Sequence, residues 1–166
     1  MGFALISAII LAAFFGTKAS FPHPYERPVQ ESGLDPHLVY SVIKAESSFR
    51  EDAVSRSGAI GLMQLRPSTA EFICERTGIE YDRNKLTDAE YNIRLGCLYL
   101  RYLFEKFPVQ DTALAAYNAG EGTVRGWLED KKYSDDGATL KKIPYSETCD
   151  YVKKVKRARK CYEFFY

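Results

Sequence analysis

Apolar residues recur at helical spacing along most of this chain, and no convincing series of alternating strands is present. Asp35 and Pro36 form a cap and a first turn of a predicted helix. Its apolar stripe is Leu38, Val39, Val42 and Ile43. After a glycine-containing loop, a second helix is predicted to open at Pro67 and to close at Gly78.

The second half of the chain predicts four further helices. Thr87 and Glu90 have the spacing of a capping box ahead of a long helix that runs to Phe107, where Pro108 stops it. Its apolar residues cover most of the circumference, which predicts a central buried helix. The other helices are predicted near residues 111–120, 124–128 and 145–160, with a polar surface loop at 131–142. The fold class is therefore predicted to be mainly α.

The first residues have the composition of an export signal. Residues 3–15 are an uncharged apolar run of thirteen, shorter than the roughly 20 residues of a membrane-spanning helix. Thr17 and Ala19 are small residues at the spacing of a cleavage site. We expect a signal peptide over residues 1–19, a domain over residues 20–166 and a periplasmic or extracellular location. An uncleaved membrane anchor is the alternative.

Export changes the expected state of the cysteines. Cys74, Cys97, Cys149 and Cys161 lack the spacing of a zinc site, and an oxidising compartment favours two disulfides. If Cys149 and Cys161 share one unbroken helix, their sulfurs are about 18 Å apart along its axis and do not bond. Cys74 and Cys97 would then each pair with one of them.

Composition and charge are those of one ordinary globular domain. The 166 residues are 46% hydrophobic and 27% charged, and 23 basic against 22 acidic residues give a net charge of +1. This balance argues against a nucleic-acid partner. The basic run at 153–160 is predicted to be a solvated helix face, with an anionic polymer or membrane surface as the alternative. Phosphate loops, nucleotide fingerprints and metal-ligand clusters are absent from the sequence, so no cofactor or metal is predicted.

One carboxylate, Glu46, continues the buried stripe of the first predicted helix, three residues after Ile43. Desolvation on this face raises the pKa of a carboxylic acid, and the negative end of the helix dipole acts in the same direction. An acid that stays protonated near neutral pH is suited to general acid catalysis. The structural alternative is a buried glutamate satisfied by an arginine or by backbone donors.

Five motifs follow one another from Glu46 onward. They are A-E-S-S-F (45–49), S-x-x-G-A-I-G-L-M-Q-L-R-P-S-T-A (55–70), N-I-x-x-G-x-x-Y-L (92–100), A-L-A-A-Y-N-A-G-E-G-x-V (113–124) and I-P-Y-S-E-T-x-x-Y-V (143–152). Over residues 28–155 the series resembles the catalytic domain of the soluble lytic murein transglycosylases, relatives of goose-type lysozyme. The resemblance implies a single lysozyme-like domain with little or no β-sheet and a sugar-binding groove.

The resemblance also implies roles for individual residues. Glu46 matches the single catalytic acid/base of the family. The expected substrate-binding residues are Ser55, Gln64, Tyr117, Asn118 and Glu147. Arg66 departs from the family, which usually carries Met or another apolar residue there. In the groove it would favour anionic lactyl or peptide carboxylates, and the alternative is that it points to solvent.

The resemblance implies an exported lytic transglycosylase that cleaves the β-1,4 bond between N-acetylmuramic acid and N-acetylglucosamine in peptidoglycan. The expected product is a 1,6-anhydromuramyl end, formed by attack of the muramyl C6 hydroxyl. The alternatives are a hydrolytic goose-type lysozyme and a non-catalytic peptidoglycan-binding assembly protein. The expected partners are glycan strands and a secretion-system or other envelope complex, and we expect a monomer.

Overall fold

The structure is a computed structural model that describes residues 16–166, so most of the predicted signal peptide lies outside the described residues. Its α-helices are α1 (Glu26–Glu31), α2 (Pro36–Glu46), α3 (Pro67–Thr77), α4 (Ala89–Lys106), α5 (Gln110–Ala119), α6 (Glu121–Glu129) and α7 (Ser146–Phe165). A 3-10 helix spans Arg83–Thr87. Within residues 16–166, β-pairing is limited to isolated bridges in the loop after α2, which confirms the mainly α prediction. No helix in this range is long and apolar enough to cross a membrane.

Local signals set several helix ends where they were expected. The Asp35 carboxylate accepts the His37 backbone N–H at 3.0 Å and caps α2, with Pro36 as its first residue. α3 begins at Pro67 and ends at Gly78, whose φ of 69° is left-handed. The loop between these two helices, together with the adjoining ends of both, lines one side of the groove described below.

The start of α4 differs from the prediction. The cap is Asp88, whose carboxylate accepts the Tyr91 backbone N–H at 2.8 Å. Thr87 instead ends the 3-10 helix, and its hydroxyl donates to the Asn84 carbonyl at 3.5 Å. The capping-box prediction was wrong because the residues before Asp88 form a short helix of their own. α1 was not predicted, and α7 continues to Phe165 rather than ending near residue 160.

Two hydrophobic clusters meet on α4. The larger joins it to α2, α5, α6 and α7, and the smaller joins it to α3 and to the loop that precedes α3. Buried residues of α4 enter both clusters, Ile93 and Leu100 the larger and Leu95 the smaller. α7 packs along α2 and α5. This arrangement brings the C-terminal end of α2 beside the first turns of α7.

The expected disulfides are not formed, and all four cysteines are free. Cys74 and Cys97 are buried on α3 and α4, whereas Cys149 and Cys161 lie on α7, which packs against other helices. α7 is continuous through both of its cysteines, as the prediction required. The Cys97 sulfur lies 4.0 Å from the Met63 sulfur, and burial raises the pKa of this thiol to about 12.

The basic face of α7 is exposed and much of it is paired within the molecule. Its ion pairs include Lys153–Asp150 at 3.5 Å, Lys156–Asp111 at 2.6 Å and Arg159–Asp35 at 2.8 Å. Much of the basic run is therefore a solvated helix face, and these ion pairs also connect α7 to α2 and α5.

Candidate active site

A groove of about 780 Å³ lies between the C-terminal end of α2, the loop before α3, and the facing ends of α5 and α7. All six residues that the sequence singled out line it: Glu46, Ser55, Gln64, Tyr117, Asn118 and Glu147. Tyr99 of the third motif lines the groove as well, so the fold brings together side chains from all five motifs. A larger hollow of about 960 Å³ between α1 and α4 contains none of the six.

Glu46 is the last residue of α2 and is partly buried at the groove. Burial raises its pKa from 4.5 to about 7, while the Tyr151 hydroxyl and the charge of Lys154 act in the lowering direction. Within the described residues no arginine or backbone donor pairs with this carboxyl group, contrary to the structural alternative. At neutral pH a large share of Glu46 therefore stays protonated and able to donate a proton.

Two buried tyrosines surround Glu46. The Tyr117 hydroxyl donates to the Met63 carbonyl at 2.8 Å. The Tyr151 hydroxyl is buried, faces Glu46 and has no other hydrogen-bond partner in the described part of the chain. Burial, together with the nearby Glu46 charge, raises the pKa of both phenols well above 10, so both remain neutral donors.

Tyr151 was not among the predicted site residues. The signal that identifies it is its position in the fifth motif, four residues after Glu147, which places both on one face of α7. Lys154 follows one turn later, and its ammonium group donates to the Ala45 carbonyl at 2.5 Å. α7 thus supplies both groups that lower the pKa of Glu46.

Asn92 fixes the loop between α2 and α3. Its buried amide group donates to the Ile60 carbonyl at 3.0 Å and to the Leu86 carbonyl at 2.7 Å, and it accepts the Met63 backbone N–H at 2.8 Å. Gly61 lies so close that a Cβ there would stand 2.3 Å from the Asn92 amide nitrogen. This contact explains why the third motif begins with an asparagine and why the second contains this glycine.

The side chain of Met63 fills the space over Gly96 on α4. A Cβ at position 96 would lie 2.4 Å from the Met63 sulfur, so only glycine fits there. Because Asn92 and Tyr117 hold the backbone of the same residue, Met63 is anchored to α4 and α5 together. The loop that carries Gln64 is therefore attached to the rigid core.

Gln64 and Ser55 are both engaged within the loop. The Gln64 side-chain amide donates to the Ala53 carbonyl at 3.0 Å and to the Gly61 carbonyl at 2.9 Å. The Ser55 hydroxyl accepts the Ala59 backbone N–H at 3.0 Å. These contacts with the loop backbone fix the orientation of both side chains. Each side chain still has a donor or an acceptor that can hydrogen-bond to a ligand in the groove.

The other end of the groove joins α5 to α7. The Asn118 carbonyl oxygen accepts the Thr148 hydroxyl at 2.8 Å, which leaves the amide NH₂ group for a ligand. Glu147 is exposed at the start of α7. Arg66 is exposed and also lines the groove, so its guanidinium group is accessible from both the groove and the solvent.

Comparison with known proteins gives a consistent result. The profile of a family described as "Transglycosylase SLT domain" matches residues 24–140. The soluble lytic murein transglycosylase of Escherichia coli K12 is 36% identical over 129 residues, which cover 75% of this chain and 20% of the relative. The membrane-bound lytic murein transglycosylase C of Photorhabdus laumondii is 35% identical over 153 residues, covering 78% of this chain and 43% of the relative.

A solved structure gives the same result for the fold. An inactive glutamate-to-glutamine mutant of lytic transglycosylase Slt from Pseudomonas aeruginosa superimposes with a TM-score of 0.74 at 35% identity. The match covers 86% of this chain and 24% of that protein. The lysozyme-like fold predicted from the motifs is confirmed. This chain corresponds to about a fifth to two fifths of the length of these relatives.

Proposed function

Because this chain belongs to the transglycosylase SLT domain family, we propose that it is a lytic murein transglycosylase that cleaves the β-1,4 bond between N-acetylmuramic acid and N-acetylglucosamine in peptidoglycan. The observation that carries the proposal is Glu46, a carboxylic acid with a pKa of about 7 that faces a groove lined by motif residues. Ser55, Gln64, Tyr117, Asn118 and Glu147 are proposed to bind the glycan around it.

The carboxylates of the groove support a mechanism with one acid/base. Most glycosidases place two carboxylates across the bond that is cleaved. Here the other acids that line the groove, Glu147 and Asp150, are exposed. A water-solvated carboxylate on the rim is a poor nucleophile for a sugar bound deep in the groove. The second nucleophile is therefore proposed to come from the substrate itself.

In the proposed reaction Glu46 first donates its proton to the glycosidic oxygen, and the bond to the muramyl C1 atom breaks. The acetamido carbonyl of the substrate stabilises the positive charge that develops at C1. The muramyl C6 hydroxyl then attacks C1, and the Glu46 carboxylate takes the C6 proton. The tethered hydroxyl has a high effective molarity and outcompetes water. The product is a 1,6-anhydromuramyl end, and the acid is restored.

The neighbours of Glu46 fit both halves of this cycle. The protonated acid is favoured by burial, and the carboxylate that forms after proton donation is stabilised by the Tyr151 hydroxyl and by Lys154. Opposed influences that leave a pKa near 7 suit a group that must act first as an acid and then as a base. Arg66 is proposed to favour glycans with anionic lactyl or peptide carboxylates.

Mass spectrometry of the products released from purified sacculi tests this function. The wild type is expected to release anhydromuropeptides, which are one water lighter than lysozyme products and have no reducing end. Glu46→Gln, which keeps the side-chain shape, serves as the matched inactive control. Release of reducing ends alone would identify a hydrolytic lysozyme. Binding to sacculi without any release would favour the non-catalytic assembly protein.

We further propose that residues 1–19 act as a signal peptide, that residues 20–166 act in the periplasm or outside the cell, and that the activity serves an envelope-spanning complex. The support is the apolar run at 3–15 and the nature of the substrate. Mass determination of the chain recovered from cell fractions tests this. A mature chain that starts near Ser20 is expected, and an intact Met1 in the cytoplasm would contradict it.

A further inference from the structure

The segment at residues 21–23 is held on the body of the protein by three tyrosine hydroxyls, which we call the tyrosine clasp. Each hydroxyl donates to one backbone carbonyl of the segment: Tyr166 to Phe21 at 3.1 Å, Tyr162 to Pro22 at 2.8 Å and Tyr40 to His23 at 3.2 Å. The Phe21 ring also meets Tyr162 edge to face, with ring centroids 5.4 Å apart. The chain that follows the apolar run at 3–15 is therefore fixed beside the C-terminal end of α7.

The same end of α7 carries an exposed surface of two cations and two aromatic rings, which we call the basic aromatic patch. Arg157, Lys160 and Phe164 follow one another at helical spacing, so they share one face of α7. Tyr166 completes the patch. Phe164 is 72% exposed and Tyr166 is 45% exposed. Arg157 and Lys160 are exposed and make no ion pair within residues 16–166, unlike the paired basic residues of α7 described above.

The residue types of the patch fit an anionic lipid surface. The long side chains of Arg157 and Lys160 bring their charges to the level of anionic headgroups. An exposed Phe ring gains free energy by leaving water for the boundary between headgroups and acyl chains. An anionic wall polymer offers no such apolar layer, so Phe164 favours lipid over polymer. The Glu163 carboxylate in the same turn is engaged by Arg159 at 2.9 Å, which leaves the two patch cations uncompensated.

The apolar run at 3–15 brings this end of the molecule close to a membrane. The run joins the described residues at Gly16, and the Lys18 ammonium lies 4.6 Å from the centroid of the Tyr166 ring. In the proposed export this run enters the membrane, and as an uncleaved anchor it would stay there. In both cases the patch is the surface of the domain that lies next to lipid. This placement rests on the proposed export.

We propose that the basic aromatic patch binds the surface of an anionic phospholipid bilayer. The membrane is then a partner of the mature domain itself and not only of residues 1–19. The patch shares no residue with the groove around Glu46. About 25 Å of the α7 axis separates Glu147 in the groove from Phe164 in the patch. The bound protein therefore keeps its groove open to glycan strands that lie close to the membrane.

Co-sedimentation with lipid vesicles tests the patch. The protein is the proposed mature chain, residues 20–166, which contains α1 to α7 and the whole tyrosine clasp and lacks the apolar run. Vesicles of phosphatidylglycerol mixed with phosphatidylcholine are compared with vesicles of phosphatidylcholine alone. The wild type is expected to bind the anionic vesicles more tightly, and added salt is expected to weaken this binding.

The variants separate the two parts of the patch. Arg157→Gln combined with Lys160→Gln is expected to weaken binding to anionic vesicles roughly tenfold to thirtyfold, because two cations leave the surface. Phe164→Ala is expected to weaken it about fivefold. The matched controls remove the same groups elsewhere and are expected to bind as the wild type does; they are Lys85→Gln with Arg94→Gln, and Phe72→Ala.

The patch variants are expected to release products from purified, lipid-free sacculi at the wild-type rate, which shows that they are folded. Equal binding of anionic and neutral vesicles, or unchanged binding by the patch variants, would overturn the membrane contact and leave the proposed function intact. Polyphosphate is the probe for an anionic polymer. Binding of polyphosphate through Arg157 and Lys160, with no effect of Phe164→Ala on vesicles, would identify a polymer contact and overturn the proposal. Failure of the wild type to release products from sacculi would overturn the proposed function alone.

Discussion

Glu46→Gln is expected to make the folded protein more stable than the wild type at pH 8, although it removes the proposed catalytic acid. The carboxyl group has a pKa of about 7 in the folded protein, against an ordinary value of 4.5, because it is buried. Between these two values the folded state binds more protons than the unfolded state. The wild type therefore loses stability as the pH rises through this window, whereas an amide cannot ionise.

The magnitude follows from the pKa shift. At about 1.4 kcal/mol per pKa unit, the free energy of unfolding of the wild type falls by roughly 2.5 kcal/mol relative to the variant between pH 5 and pH 8. Below pH 4.5 both pKa values lie above the pH, and the difference between the proteins becomes independent of pH.

Urea unfolding at pH 5 and pH 8, followed by the fluorescence of the buried Trp127, measures this difference. Comparing variant with wild type at each pH cancels the titration of all other groups. Glu147→Gln, at an exposed carboxylate of the same groove, is the matched control and is expected to give nearly the same small change at both pH values. If the stability gain of Glu46→Gln differs by less than about 0.5 kcal/mol between the two pH values, burial does not disfavour the Glu46 charge as argued.

Three further outcomes are expected. Lys154→Met removes a charge that lowers the pKa of Glu46, so the alkaline limit of activity is expected to move to higher pH. Lys160→Met is the control, and an unchanged pH profile of Lys154→Met would contradict the role of Lys154. Asn92→Ala is expected to cost about 2–3 kcal/mol in urea unfolding, because it leaves buried backbone groups unpaired, and a loss near zero would show that the loop is held otherwise. Thiol titration of the unreduced, unfolded protein is expected to find four free thiols, whereas in the folded protein only the two on α7 are expected to react rapidly. Fewer than four thiols in the unfolded protein would restore the disulfide prediction.

The helix boundaries that the sequence predicts correctly depend on contacts within a few residues. Asp35 caps its own helix, and Gly78 ends α3 through its own backbone conformation. The prediction failed at Thr87 because two adjacent residues, Thr87 and Asp88, are both good caps and the structure uses the second. α1 is short, and it packs against α2 and α4, contacts that a local pattern does not encode.

The residues of the site also divide into those that a local pattern predicts and those that depend on tertiary contacts. Glu46 was identified because its position on a buried stripe is a local property of α2, and the motif series identified the other groove residues. Tyr151 and Lys154 were missed because their effect on Glu46 arises only where α7 crosses the end of α2. The disulfide prediction failed for a similar reason. An oxidising compartment favours disulfides, but tertiary contacts decide which sulfur atoms come within bonding distance.

The environment that sets the pKa of Glu46 includes residues of α7, which are synthesised much later than Glu46 itself. Glu46 is polymerised about a hundred residues before Tyr151 and Lys154. Before folding buries it, the Glu46 carboxylate has its ordinary pKa of 4.5 and is ionised at neutral pH, so it has no proton to donate. Folding therefore creates the acid by burying it, and the docking of α7 adds the hydroxyl and the charge that keep its pKa near 7 rather than higher. A partly made or partly unfolded chain, in which Glu46 is still hydrated, therefore lacks the protonated acid that the proposed reaction needs.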